Sequence, residues 1–299
     1  MIIHLEKNVS GNLAETVRNV AESVNRELIF AAQISEENIT ESVHLIRKRL
    51  KLYRALLKLL KHRSDPDEYE AANEKLRNLG RVFSELRDAH VRDNMFDTFL
   101  TEQVFISYED IIRKLRVENS NQCERLLRQL SANGSPFQTL ADEIKQKSPA
   151  ASFIEALDGS APIEEGFISA YKKARKAYKT CFLHPSADLL HEWRKRVKDL
   201  QYQCELMPWI AESMPVNFYQ DLIRLAELLG EDQDINNLIS WIDSKAGVLE
   251  NDERAAISSL LKSRRNNLDG MIEQLGKTLF QDEPAFVRTA HKQSISNGR

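Results

Sequence analysis

Val43, Ile46, Leu50, Tyr53, Leu57 and Leu60 recur at a 3-4-3-4-3 spacing, and one residue later His44, Arg47, Lys51, Arg54, Lys58 and Lys61 repeat it. Only an α-helix turns both series into lines. At about 100° per residue the first becomes an apolar seam and the second a basic stripe directly beside it. A strand would scatter each series over both faces. No acidic residue lies between Glu41 and Asp65, so nothing local neutralises the stripe. A helix of this kind must pack its seam into a bundle and present a line of cations at the edge of that contact.

The helical period dominates the rest of the chain. Helices are expected near residues 12–33, 36–63, 67–86, 88–101, 106–132 and 136–146, then 163–182, 186–213, 215–229, 232–246 and 252–280, with a stub near 284–291. Breaks carry ordinary signals: Ser64-Asp65-Pro66, Asn133-Gly134-Ser135-Pro136, His184-Pro185-Ser186 and Met214-Pro215. Only 10 glycines and 8 prolines occur in 299 residues, which fits long helices and disfavours a turn-rich β fold.

The pattern around His44 comes twice. Residues 42–51 align without gaps on residues 189–198, a shift of 147 residues that conserves His, Arg-Lys-Arg and the final Lys. At nearly the same shift, residues 86–91 lie against 232–237, where Asp88 matches Asp234. Two similarities at one offset indicate a duplicated helical unit. The expected organisation is a first half over residues 1–148, a linker over 149–166 that holds Pro149, Gly159 and Pro162, and a second half over 167–299.

The second copy repeats the chemistry in shorter form. Leu190, Trp193, Val197, Leu200, Cys204 and Met207 form the seam, and His191, Arg194 and Lys198 form the stripe, with Lys195 beside it, before Gln201 and Glu205 end the series. The preceding helix has Tyr171, Ala174 and Tyr178 followed one position later by Lys172, Arg175 and Lys179. Like charges at these spacings repel by roughly 0.2–0.5 kcal/mol per exposed pair. A linear anion bearing many phosphates would offset that repulsion, with Arg as a planar bidentate donor and Lys as a mobile point charge. A solvated basic face is the plain alternative, and duplication in the matching helix argues against it.

Charge balance limits the partners. The net charge is −3, from 42 basic and 45 acidic residues, whereas a general nucleic-acid binder leans basic. Aromatics make up 7% of residues and do not interleave with the stripes, which disfavours base stacking. Three scattered cysteines without a CxxC pair fit neither a disulfide scaffold nor a zinc site and suit a reducing cytoplasm. The N-terminus lacks the basic and apolar regions of a secretory signal, and no apolar run reaches about 18 residues, so no membrane span is expected.

In the residues around His44 and His191 the chain resembles the CHAD family, the conserved histidine α-helical domain. The hallmark is a His followed by Arg at +3 and by Arg or Lys near +7 and +10, once in each half. It reads here His44, Arg47, Lys51, Arg54 and then His191, Arg194, Lys198, with Gln201 departing at the last place. Tyr202 looks like the aromatic of the second copy. Leu86-Arg87-Asp88-Ala89-His90-Val91 looks like the family's LRDxDV segment with His90 in place of the acid, and Leu229-Gly230-Glu231-Asp232-Gln233-Asp234 like its LGxxxD counterpart. The resemblance spans roughly residues 10–290. It implies an all-α protein of two four-helix bundles of long helices related by a pseudo-two-fold axis, with a basic cavity where they meet. It also implies binding of inorganic polyphosphate and association with polyphosphate granules. The residues expected to hold the polymer are His44, Arg47, Lys51, Arg54, Lys58, Lys172, Arg175, Lys179, His191, Arg194, Lys195 and Lys198.

Rival readings are weaker. CHAD domains often accompany a triphosphate-tunnel domain, but its Glu-x-Glu-x-Lys strand is absent, as are a Walker A loop and HExxH, so neither catalysis nor a cofactor is expected. Glu41-Ser42-Val43-His44 and Asp188-Leu189-Leu190-His191 place each histidine three residues after a carboxylate, as a di-iron bundle would, yet the flanking Arg and Lys oppose a divalent cation. Nucleic acid and an acidic protein partner remain as alternatives to polyphosphate.

Overall fold

A computed structural model describes residues 5, 13–132, 135–155, 157, 163–245, 247–285 and 287. It is 87% helical, and no strand occurs among the described residues. In chain order the helices are α1 (Leu13–Gln33), α2 (Ile39–Leu60), α3 (Pro66–Arg81), α4 (Ser84–Thr101), α5 (Glu109–Ala132), α6 (Pro136–Gln146) and the short α7 (Ala151–Glu155), which falls within the stretch expected as a linker. They continue with α8 (Glu164–Leu183), α9 (Ala187–Leu206), α10 (Pro208–Glu212), α11 (Phe218–Asp243) and α12 (Asn251–Phe280).

Helix starts follow the capping residues. The Asn38 side chain accepts from the Glu41 N–H at the head of α2, and Asp65 accepts from Asp67 and Glu68 ahead of Pro66. Ser135 and Ser186 cap α6 and α9 in the same way. Each satisfies an amide that the first turn leaves without an intrahelical partner.

Three boundaries differ from those expected. The break before α4 falls at Val82 and Phe83, so the segment 86–91 lies inside α4, and His90 occupies a helix rather than a loop. The helices expected at 215–229 and 232–246 are one continuous α11. Gly230 costs about 1 kcal/mol in a helix interior, but burial of Leu228, Leu229 and Asp232 on either side carries the helix through it. The helix expected over 186–213 ends at Leu206, because Pro208 starts the separate turn α10. The expected stub at 284–291 lies largely outside the described residues.

α2 is the central element. It packs against α1, α3, α8 and α9, which explains why its C-terminal half buries Leu52, Ala55, Leu56 and Leu59 in addition to the seam. The pairings of α1 with α2 and of α4 with α5 parallel those of α8 with α9 and of α11 with α12. One apolar core runs through both halves and includes Phe153 and Ile154 of α7. α8 approaches α2 so closely that a Cβ on Gly166 would lie 1.8 Å from the Leu59 carbonyl oxygen.

Candidate functional site

The basic stripes of α2 and α9 meet because the two helices pack side by side, with the Gln203 amide donating to the Ala55 carbonyl at 3.4 Å in their buried contact. The seams that the sequence marks on each helix face this core: Val43, Ile46, Leu50, Tyr53, Leu57 and Leu60 are buried, as are Trp193, Val197, Leu200, Cys204 and Met207. The cations one residue later therefore emerge at the edge of the contact.

Lys51 lies at the centre of what they form. Burial first, and then the charges of Arg47, Arg194, Arg87 and Lys198, together push its ammonium down to about 7. Lys198 falls to about 8, from burial and then from Arg194. Burial likewise lowers Arg47 and Arg194. Groups 147 residues apart in sequence thus act on one another directly. Among the described residues, none of Arg47, Lys51, Arg54, Arg194 and Lys198 has a carboxylate within ion-pair distance.

Their existing bonds go to neutral groups. Arg47 donates through Nη1 to the Gly80 carbonyl at 2.9 Å and to Ser84 Oγ at 2.8 Å. Arg54 Nε donates to Asn73 Oδ1 at 3.0 Å, and Lys198 Nζ to Gln201 Oε1 at 2.7 Å. Lys198 also lies 5.2 Å from the Tyr202 ring centroid. The matching nitrogens Arg47 Nε and Arg194 Nε are both buried without a hydrogen-bond partner. A cleft of about 200 Å³ opens beside Arg47, walled by α2, α3 and α4, where Arg77 and Arg81 join Arg47, Lys51 and Arg54.

Sequence reasoning left Arg87 off the list of binding residues. It bonds Asp88 at 3.0 Å and Asp234 at 3.2 Å, joining α4 to α11. Burial alone would lower this guanidinium, and Asp234 and Asp88 outweigh it, so the net shift is upward. The signal was present: Asp88 and Asp234 are the aligned acids of the repeat, and Arg87 precedes one of them. Arg77 and Arg81 carried none, because α3 has no counterpart in the repeat pattern.

The remaining expected residues are spread more widely. His191 Nδ1 lies 2.7 Å from Gln233 Oε1 and must be the donor, since a carboxamide oxygen only accepts. His44 is exposed one turn before Arg47. Lys58 is held by both oxygens of Asp199 at 2.7 Å. Lys195 is exposed and bonds Glu192 at 3.2 Å. On α8, Arg175 donates to the carbonyls of Phe280 at 2.9 Å and Gln281 at 2.8 Å, closing the C-terminal end of α12. Lys172 and Lys179 make no ion pair among the described residues and do not figure among the charges that act on Lys51.

No group of three or more His, Cys, Asp or Glu among the described residues is placed to hold a metal ion. No helix among them is long and apolar enough to cross a membrane.

The fold is shared with two solved structures. The CHAD domain from the plant Ricinus communis superposes with a TM-score of 0.65 at 14% identity, covering 95% of this chain and 96% of that one. PptA from Streptomyces chartreusis does so at 0.63 and 15%, covering 91% and 100%. No curated protein matches the sequence. The family model for the CHAD domain matches residues 29–243, a span that holds both histidine motifs, both stripes and the aspartates that face each other across α4 and α11. The chain belongs to the CHAD domain family.

Proposed function

We propose that this chain binds inorganic polyphosphate along the facing stripes of α2 and α9. The observation that carries this reading is the cluster of Arg47, Lys51, Arg54, Arg194 and Lys198, drawn from both halves and without a carboxylate partner. Folding has placed these cations against one another at a cost that an isolated protein gains nothing from. A chain of phosphates brings closely spaced negative charges on a flexible backbone and offsets that cost at several points together. Membership of a family associated with polyphosphate binding supports the same reading. A basic cleft in which Arg47 and Arg54 bond only neutral groups and, among the described residues, Arg77 alone meets a carboxylate, the exposed Glu74, suits an anion.

On this reading the chain is a binding module rather than a catalyst. Residues 1–148 and 167–299 are two copies of one helical bundle around a pseudo-two-fold axis, residues 149–166 connect them, and the polymer lies at their junction. His44, His191, Lys58, Lys172, Lys179 and Lys195 border the track, and the protein works in the cytoplasm and at polyphosphate granules.

The test is a competition titration with labelled long-chain polyphosphate at near-physiological salt, against single-stranded nucleic acid and short phosphates. Displacement by unlabelled long-chain polyphosphate alone is the expected result. Equal displacement by nucleic acid, or no binding, overturns the assignment. Steep weakening with salt is also expected, since each Lys or Arg contact releases a counterion from the polymer.

A further inference from the structure

We propose that Asp199 sets the length of phosphate chain this protein holds, by closing the basic track of α2 at Lys58; the proposal rests on the polyphosphate reading above. Along α2 the cations Arg47, Lys51 and Arg54 have no ion-pair partner among the described residues, whereas Lys58 does. Its ammonium is 2.7 Å from both carboxylate oxygens of Asp199, reaching across from α9. Both side chains are half-buried, at 27% and 17% exposure. The sequence of α2 contains no such interruption; the carboxylate comes from the facing helix.

Beyond the interruption the surface becomes basic again. A second cleft of about 160 Å³ lies where α2, α3, α8 and α9 meet, and Lys61, Lys173 and Arg196 surround Asp199 there. Arg196 is taken by Glu192 at 2.6 Å and Lys61 loosely by exposed Glu70 at 3.5 Å, while Lys173 forms no ion pair among the described residues. Arg54 links the two clefts: it lines the first and bears electrostatically on Lys58. The two seats are thus collinear along α2 and are separated by one negative charge.

A phosphate chain seated on Arg47 reaches Arg54 after about 10 Å and Lys58 after about 16 Å, at 1.5 Å of rise per residue. Past Arg54 it meets the Asp199 carboxylate in a partly desolvated position, where like charges repel more than in water. Phosphates as far as Arg54 are unaffected, and those beyond must leave the track or displace Asp199 from Lys58. A strut that merely ties α2 to α9 would contribute to stability without regard to ligand length. The discriminating quantity is therefore the ratio of affinities for a long and a short chain.

The experiment titrates wild-type protein, Asp199→Asn and Asp199→Ala with inorganic tetraphosphate and with long-chain polyphosphate, at several salt concentrations. The expected result is an unchanged tetraphosphate affinity with a several-fold tighter long-chain affinity in both variants. The salt dependence of long-chain binding should also steepen as Lys58 and Lys173 join the contact. Lys173→Gln should remove part of the gain in the Asp199→Asn background, the rest being due to Lys58, and leave the wild-type affinities unchanged. Equal tightening for both ligands, or for neither, overturns the role of Asp199 while the polyphosphate reading stands. Failure of the wild type to bind either ligand overturns both.

Discussion

Lys172, Arg175 and Lys179 on α8 repeat the spacing of His44, Arg47 and Lys51 on α2, and both series sit one residue after an apolar seam. In the folded chain they serve different ends. The α2 series faces the α9 series, and its members push one another's charge down. On α8, Arg175 is spent on the carbonyls that end α12, and Lys172 and Lys179 stand apart from the cluster. The same pattern thus yields a strained concentration of charge in one place and a helix cap in the other. What separates them is the neighbour across the contact: a second basic helix for α2, and a helix C-terminus with free carbonyls for α8.

Charge reversal should open the widest gap between the two regions. Arg47→Glu with Arg194→Glu is expected to weaken polyphosphate binding by about a thousandfold, the worth of two lost charge-assisted contacts. Lys172→Glu with Lys179→Glu, at the border of the track and outside the cluster, should weaken it far less. Isothermal titration on proteins of equal helical content by circular dichroism checks both, and equal losses from the two pairs would dissolve the distinction.

The contact that holds α8 against α2 comes next. In Gly166→Ala the added methyl would meet the Leu59 backbone, which cannot move aside as a flexible side chain would. A destabilisation of about 3 kcal/mol is expected from such overpacking, read as a lowered denaturant midpoint with an unchanged slope.

Arg175→Met sharpens the contrast at smaller magnitude. It removes two hydrogen bonds to the end of α12 and should cost about 1–2 kcal/mol of stability, while polyphosphate affinity stays at the wild-type value. Arg47→Met should cut affinity, and it should lower the melting temperature less than Arg175→Met does, because relief of the repulsion from Arg87 and Arg194 offsets part of the two bonds lost to Gly80 and Ser84.

The smallest effect is the pH response. Lys51 near 7 and Lys198 near 8 lie below the ordinary lysine value, so the folded protein without ligand releases these protons before the unfolded chain does. Stability contributed by the two groups therefore rises as pH climbs from about 7 toward 10. Binding runs oppositely: the polyanion favours the ammonium forms, so affinity should fall several-fold between about pH 7 and 9. Lys51→Arg should flatten the lower part of that fall. A pH-independent affinity would mean that Lys51 does not face the bound chain.

Much of this protein was legible before any fold was known. The helices around 42–62 and from 186 onward follow from the spacing of their apolar residues, and Asp65 and Ser186 mark the starts of α3 and α9 by chemistry that acts within three residues. Local signals failed where two of them competed. The helices expected at 215–229 and 232–246 part around Gly230, but burial on both sides of it in α11 outweighs the intrinsic cost of a glycine. Leu86 to Val91 offered no local sign that the preceding turn falls at Val82 and Phe83.

The sequence by itself determined most of the helices, their apolar seams, the recurrence of the His-Arg-Lys pattern and the presence of cations beside each seam, because each is written along the chain itself. Only the tertiary structure decided which cations meet. That α2 lies against α9, that Arg87 joins the cluster while bound to Asp234, that Asp199 holds Lys58 and that Arg175 caps α12 are facts about residues between 100 and 150 positions apart. Electrostatic interaction depends on distance in space and on the water excluded between charges. Neither quantity is written in the order of residues until the core has closed.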